Sequence, residues 1–200
     1  MSRPYTDNVK ANGMDKLPVR KAQRLAGYNY SQDGYYFITF CTHNKNTYLG
    51  KIVNDPEANE LGDACKQDIH MLLSIHGITV NDAIKMMDDR YTNLSVETYC
   101  IMPNHVHLII QIKNDSQIHE LPEPFKFGAR SHSMLSTAIG FLKMCSAKQI
   151  RISNPAIPGV WQRGFHDRII RNDQEHDLIR KYISTNAKRW RYDVFYLNEV

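Results

Sequence analysis

The sequence lacks the features that mark several large classes of protein. It has no apolar run of about 18 residues, which a membrane-spanning helix would need. Its first 25 residues contain no apolar stretch of the kind found in secretion signals. It also has no internal repeat or long low-complexity tract. We therefore expect a cytoplasmic protein with no membrane partner, built as one domain, since 200 residues with 42% apolar content can form one core.

Two common kinds of metal site are also missing. The four cysteines form no CxxC pair, and each lies in an apolar stretch, so we expect free buried thiols. No HExxH motif of the zinc-protease kind occurs. The cysteines are Cys41, Cys65, Cys100 and Cys145.

Charge is unevenly distributed along the chain, although the net charge is only +4. Residues 51–99 hold four Lys/Arg against nine Asp/Glu, whereas residues 143–191 hold eleven against four. Residues 1–34 are also basic, with six against three. A surface that binds a polyanion would explain this pattern, and an ordinary solvated helix face would explain it equally well.

Hydrophobic periodicity and turn residues predict seven elements between residue 34 and residue 190. β-Branched and aromatic runs indicate strands, and apolar residues at helical spacing indicate helices. Residues 78–94 are ambiguous between a short strand and a further helical turn, and 113–130 are predicted as a loop. The predicted elements are strand 34–43, helix 55–77, strands 93–103 and 104–112, helix 131–151, strand 160–171 and helix 172–190.

The first six elements match the ferredoxin-like arrangement, with helices packed on one face of an antiparallel sheet. We therefore predict an α+β fold that carries an additional C-terminal helix. Residues 1–33 are predicted to be a basic arm, and 34–200 a single domain. This fold serves many functions and selects none of them.

The most unusual feature is a pair of histidines inside an apolar strand, YCIMPNHVHLIIQI. Strand side chains alternate between faces, so His105 and His107 project the same way, about 7 Å apart. Two neutral imidazoles on one face are a familiar beginning of a metal site. Two surface imidazoles on a half-exposed sheet, or a core histidine bonded to a carbonyl, would produce the same pattern.

Candidates to complete such a site lie on the final helix. Tyr182 and Asn186 are four residues apart and therefore share a helix face. An Asn carbonyl oxygen can coordinate a cation, and a Tyr phenol can act as a nucleophile if neighbours lower its pKa or accept its proton. A tyrosine on an amphipathic helix also packs frequently against the core, so spacing alone leaves both roles open.

Four segments together resemble a known family. YCIMPNHVHLII is similar to the HUH motif (His–hydrophobic–His) of single-tyrosine transposases of the insertion-sequence and repeat-associated kinds. YYFITFCTHN resembles the opening strand of that family. VWQRGFHDRIIRND and IRKYISTNAKRW resemble its last strand and its tyrosine-bearing helix. Two positions depart from the family: Ala187 follows the Asn where many relatives carry Pro, and Arg168 stands where they often carry His.

The resemblance implies a site and an activity. Tyr182 would be the nucleophile, and His105, His107 and Asn186 would be the metal ligands. These four residues would together form the catalytic set. The metal would be Mg²⁺ or Mn²⁺, although histidine ligands alone would favour Zn²⁺, Mn²⁺ or Co²⁺. The enzyme would cut and rejoin single-stranded DNA with hairpin or repeat ends through a 5′-phosphotyrosine, and relatives include both homodimers and monomers.

Basic and aromatic side chains near the C-terminus are candidates for DNA contacts. Trp190 and Tyr192 could stack on bases. The residues predicted to contact phosphates are Arg163, Arg168, Arg171, Lys188 and Arg189.

Two alternatives remain at the level of sequence. A nicking or replication-initiator HUH endonuclease would share the chemistry but commonly has another motif order or two neighbouring tyrosines. A non-catalytic or domesticated ferredoxin-like nucleic-acid-binding module would share the fold, although no RNP-like aromatic motif is visible.

Overall fold

The computed structural model describes residues 30–55, 68–113 and 133–196. These residues form six strands and three α-helices, together with two short 3-10 helices, His43–Lys45 and Ala187–Tyr192. The main elements, in chain order, are β1 (Gly34–Cys41), β2 (Gly50–Asp55), β3 (Asp68–Leu73), α1 (Ile75–Arg90), β4 (Leu94–Ile101), β5 (His105–Ile112), α2 (Met134–Ser153), β6 (His166–Ile170) and α3 (Asp173–Thr185).

Four strands form an antiparallel sheet in the order β4-β5-β1-β6. The first and second of these strands in the chain, β1 and β4, are separated in space by β5, which is the split arrangement of a ferredoxin-like sheet. The predicted α+β class and antiparallel sheet are therefore confirmed. β5 is a central strand, paired with β4 on one side and with β1 on the other.

One face of this sheet carries the main hydrophobic core, because alternate residues of β1 and β5 are large and apolar. Val106, Leu108 and Ile110 are fully buried on this face and pack with α1 and α2. Complete burial of one such side chain contributes about 1.5–3 kcal/mol. This core therefore supplies most of the apolar burial that holds the sheet to its two helices.

The opposite face is covered by α3 and has a much smaller apolar cluster. Its buried members are four isoleucines: Ile109, Ile170, Ile179 and Ile183. Asn172 caps α3, because its side-chain oxygen accepts a hydrogen bond from the Glu175 backbone N–H at 2.8 Å. This helix lies on the same face of the sheet as His105 and His107.

A β-hairpin replaces part of the helix predicted over 55–77. β2 and β3 pair in a separate two-stranded antiparallel sheet, so the prediction is wrong over 68–73. The error has a simple cause: Leu61, Cys65, Ile69 and Leu73 recur every four residues, which is about one helical turn but also two strand repeats. Residues 56–67 of that prediction lie outside the described residues. At its two ends, Asp55 belongs to β2, and residues 75–77 are helical as the start of α1.

Residues 78–90 of the ambiguous stretch belong to α1, which begins just after the hairpin, and Leu94 already begins β4. Ser74 caps this helix by accepting a hydrogen bond from the Gly77 backbone N–H. A Cβ atom at Gly77 would lie 2.1 Å from the Leu49 carbonyl oxygen, so glycine allows α1 to start against that segment.

The remaining predicted elements are present, most of them with shorter boundaries, and α2 extends two residues beyond the predicted end at 151. Strand 160–171 is reduced to β6, and helix 172–190 ends at Thr185, after which the 3-10 helix Ala187–Tyr192 begins. The arm predicted over 1–33 lies almost wholly outside the described residues, as does the loop predicted over 113–130.

The described cysteines are free, but only one is buried. Cys41 is buried, whereas Cys100 and Cys145 are half-buried, which corrects the expectation of buried thiols for those two. Cys65 lies outside the described residues. Across the three described ranges, none of the helices has the length and apolarity that crossing a membrane requires.

Candidate metal centre and tyrosine site

The two histidines lie on the α3 face of the sheet because the strand alternates. His105 and His107 are buried, with 0% and 2% of their surfaces exposed, and their ring centroids are 4.5 Å apart. The prediction that they share one face is confirmed, and the alternative of surface imidazoles is wrong. Burying two imidazoles side by side is costly unless their ring nitrogens find partners.

Asn104 sets the protonation of the first histidine. Its Nδ2 donates to the Phe195 carbonyl at 2.8 Å, which leaves its Oδ1 as an acceptor for His105 Nδ1 at 2.9 Å. In the neutral ring, the proton is therefore on Nδ1, and Nε2 carries a lone pair. Metal-binding histidines are commonly oriented by a hydrogen bond of this kind at the other ring nitrogen.

Thr39 plays the corresponding part for the second histidine. It lies directly opposite His107 in the β1–β5 pairing, and its Oγ1 is 2.7 Å from His107 Nδ1. A threonine hydroxyl can accept from Nδ1 or donate to it, so this contact suits either tautomer. Metal binding through His107 Nε2 requires the tautomer in which Nδ1 donates to Thr39.

Tyr182 is the residue of α3 that meets the histidine pair. It lies between the inward-facing Ile179 and Ile183 along the helix, and its Oη is 3.2 Å from His107 Nε2 in the same chain. The Phe37 ring packs edge-on against it, with centroids 6.2 Å apart. The predicted tyrosine and the predicted imidazoles are thus neighbours in space.

Asp193 completes the cluster and was not among the predicted site residues. Its carboxylate Oδ2 is 3.3 Å from Tyr182 Oη and 4.0 Å from His105 Nε2, and its side chain is 3% exposed. Ligand atoms of His105, His107 and Asp193 all lie within 4.8 Å of one another. These are the spacings expected of groups that surround one cation.

A weak signal for Asp193 is present in the sequence. It is the only acidic residue between Leu178 and Leu197, within an otherwise basic and aromatic segment. The 3-10 helix that follows α3 returns this segment to the site, and the Phe195 backbone N–H donates to Asp193 Oδ1 at 2.8 Å.

Asn186 lies at the end of α3 and faces the cluster. Its Nδ2 donates to Asp193 Oδ2 at 3.2 Å, and the residue is 1% exposed. Among the described residues, neither Asn186 Oδ1 nor His105 Nε2 has a hydrogen-bond partner. Buried acceptors without a partner are costly, and a cation would satisfy them. The donor set therefore fits a divalent metal ion.

Burial determines the protonation of the site. Loss of solvent lowers the pKa of His105 and of His107 to about 3, with smaller effects from Lys45 on His105 and from His105 on His107. Both imidazoles are therefore neutral at physiological pH, as metal ligands must be. Burial, followed by the Asp193 carboxylate, raises the pKa of Tyr182 to about 12, so its phenol holds its proton.

The five cationic residues predicted to contact DNA are all exposed and lie on different elements. Lys188 and Arg189 belong to the 3-10 helix beside the site, whereas Arg163 precedes β6. Arg168 forms an ion pair with Glu175 at 2.5 Å. The five are Arg163, Arg168, Arg171, Lys188 and Arg189.

Comparisons with known proteins identify similar chains. No family model matches. An uncharacterized protein of Haemophilus influenzae is 29% identical over 184 residues, which are 90% of this chain and 94% of that protein. The structure of a REP-associated tyrosine transposase bound to a REP hairpin has 15% identity and a TM-score of 0.48, covering 85% of this chain and 75% of the other.

A second solved structure, from a Deinococcus radiodurans protein described as a candidate transposase, has 14% identity and a TM-score of 0.40, covering 81% and 95% of the two chains. Similarity at this level does not establish an activity for this chain.

Proposed function

We propose that this protein is a metal-dependent enzyme that cuts and rejoins single-stranded DNA through a covalent bond to Tyr182, as a tyrosine transposase does. The observation that supports the proposal most strongly is the placement of one phenol, two neutral imidazoles and a carboxylate in one buried cluster. A structural role for Tyr182 alone would not require two buried histidines beside it, one of them with no hydrogen-bond partner for its Nε2 among the described residues.

His105, His107 and Asp193 would hold the cation, with Asn186 Oδ1 as a further oxygen ligand. When bound, Mg²⁺ or Mn²⁺ would neutralise charge on the scissile phosphate. A cation beside Asp193 would also offset the carboxylate charge that raises the pKa of Tyr182. The predicted third ligand, Asn186, is kept in this proposal, and Asp193 is added to it.

The reaction would be a transesterification. Tyr182 Oη attacks phosphorus in line, so the Oη–P bond forms and the bond from phosphorus to the 3′ oxygen breaks. The phenol proton passes to Asp193, which accepts its hydrogen bond, and is returned to the departing 3′ oxygen. Attack by another 3′ hydroxyl reverses these steps and joins strands, so neither water nor ATP is consumed.

The substrate class rests on the resemblance of the PNHVHL and YISTN segments to single-tyrosine transposases. We propose single-stranded DNA that carries a hairpin or repeat end. Because His107 and Asp193 meet Tyr182 within one chain, we propose that the tyrosine acts in the site of its own chain.

The test is to incubate the full chain with hairpin-bearing single-stranded DNA and Mn²⁺ and to look for a covalent adduct on a denaturing gel. Wild type should form it, and Tyr182→Phe should not. Tyr35→Phe is a matched control on the same face of the sheet and should retain the adduct, because its hydroxyl bonds only to Gln111 in the described structure.

Two outcomes would contradict the proposal. An adduct that survives Tyr182→Phe would show that another residue is the nucleophile. DNA binding by wild type without any adduct would favour a non-catalytic nucleic-acid-binding module.

A further inference from the structure

A groove of about 520 Å³ lies between the β2–β3 hairpin and the C-terminal 3-10 helix. One wall is formed by the hairpin and the other by the segment that follows Asn186. Its volume is within the range of pockets that hold small ligands. It would accommodate one or two nucleotides and is too small for a duplex.

The charged residues that line the groove are all cationic. Lys51 projects from the hairpin, and Lys188 and Arg191 from the 3-10 helix, whereas the described lining contains no acidic residue. All three cations are exposed, and none forms an ion pair with another described residue. Cations without carboxylate partners along a groove favour an anionic ligand, such as a phosphate backbone.

Aromatic rings line the same groove. Trp190, Tyr192 and Tyr196 contribute to it, and Trp190 packs edge-on against Tyr196, with centroids 5.3 Å apart. Tyr192 is 87% exposed, although burying an aromatic ring is strongly favourable. Exposed aromatics among cations are typical of surfaces on which unpaired bases stack.

The groove adjoins the metal and tyrosine cluster. Trp190 forms part of its wall, and the Trp190 and His105 ring centroids are 5.9 Å apart. Pro103 and Ala187 also line it, and they are next in sequence to Asn104 and Asn186. The groove therefore runs beside the cluster, with Trp190 as the wall that they share.

We infer that this groove binds an unpaired segment of single-stranded DNA adjacent to the phosphodiester that is cut, an inference that rests on the proposed function. Lys51, Lys188 and Arg191 contact its phosphates, and Tyr192 stacks on a base. The β2–β3 hairpin thus takes part in substrate binding, a role that its sequence did not suggest.

The experiment measures binding without chemistry. A fluorescent oligothymidine of about 12 nucleotides is titrated with the full chain in EDTA, and anisotropy is followed at several salt concentrations. The triple variant Lys51→Gln, Lys188→Gln and Arg191→Gln should bind at least tenfold more weakly. The slope of log K against log salt should become about 2 units shallower, since each single-strand contact contributes about 0.7.

A matched triple variant places the same charge loss on the other side of the sheet. Lys85→Gln, Lys148→Gln and Arg151→Gln change exposed cations of α1 and α2. Its salt slope should equal that of wild type. Equal losses in the two triple variants would overturn the inference, because they would indicate attraction by net charge alone.

Stacking is tested separately at Tyr192. Tyr192→Ala should weaken oligothymidine binding about fivefold or more, whereas Tyr192→Phe, which keeps the ring, should bind like wild type. If Tyr192→Ala binds oligothymidine as tightly as wild type, Tyr192 does not stack on a base. Binding of a duplex or of oligouridine more tightly than oligothymidine would overturn the assignment to single-stranded DNA.

The two proposals fail in different ways. If adducts form but the groove variants bind oligothymidine normally, the groove inference is wrong and the catalytic proposal stands. If the groove variants lose binding while wild type forms no adduct, the groove remains a DNA-binding site and the catalytic proposal is wrong.

Discussion

The two faces of the four-stranded sheet differ in what they bury. One face buries aliphatic side chains against α1 and α2, whereas the α3 face buries imidazoles, amides and a carboxylate around only four isoleucines. The same strand, β5, supplies both faces with alternate residues. The apolar face can therefore meet the cost of polar burial on the other, because removing aliphatic surface from water offsets the desolvation of polar groups.

The two faces of the sheet can be tested separately at two neighbouring residues of β5, His107 on the α3 face and Leu108 in the main core. His107→Gln removes a predicted metal ligand, so adduct formation should fall by about a thousandfold, since a catalytic metal stabilises the transition state by several kcal/mol. Calorimetric titration should show weaker Mn²⁺ binding as well. Full adduct formation by His107→Gln would mean that the polar face has no catalytic metal role.

A second prediction concerns acid sensitivity. With a chelator present, the free energy of unfolding should fall as the pH decreases from about 6.5 towards 3. His105 and His107 have folded-state pKa values of about 3 against 6.5 for the ordinary group, so the unfolded chain binds more protons in this window. Two such groups give a slope of at most about 3 kcal/mol per pH unit.

Urea unfolding at pH 6.5 and pH 5 measures this slope. The double variant His105→Gln, His107→Gln should show a flatter dependence over the same interval, in which most carboxylates remain ionised. An identical slope in the double variant would show that these histidines are accessible to protons in the folded state.

Leu108→Ala tests the apolar face. The side chain is fully buried in the main core, so its truncation should lower the free energy of unfolding by about 3 kcal/mol, measured by urea denaturation. At temperatures where the variant stays folded, Mn²⁺ affinity should be unchanged. Leu108→Ile keeps the volume and should cost less than about 1.5 kcal/mol. A large loss of metal affinity in Leu108→Ala would show that the two faces are not separable.

The smallest expected effect is at the cap of α3. Asn172→Ala removes the side-chain acceptor for the Glu175 N–H and should lower the free energy of unfolding by about 1 kcal/mol. Asn172→Ser keeps a capping oxygen and should retain most of the wild-type free energy of unfolding. An unchanged denaturation midpoint in Asn172→Ala would show that packing of Ile179 and Ile183 alone holds this helix.

Much of the four-stranded sheet could be predicted from local signals. β5 is apolar and rich in β-branched residues, and the short Pro103–Asn104 joint requires an antiparallel partner. The β2–β3 hairpin could not be predicted, because a spacing of four residues fits both periods. What decides between helix and strand here is the pairing of β3 with β2, such as Met71 with Ile52, and that contact is not local in sequence.

The candidate site, too, could be predicted only in part. His105 and His107 follow from strand alternation, and Tyr182 with Asn186 from helical spacing. Asp193 lies beyond the end of α3, and its position depends on the path of the 3-10 helix, for which the sequence has no regular period. Its contact with His105 spans 88 positions of the chain and is set by tertiary packing.

The central position of β5 limits how this protein can change. Because β4 and β1 hold the strand from both sides, an inserted or deleted residue between His105 and Ile112 would rotate everything beyond it onto the wrong face. Side chains beyond that point that now face the core would then face α3. Residues of this segment can therefore be substituted, but not inserted or deleted, without disturbing the two faces.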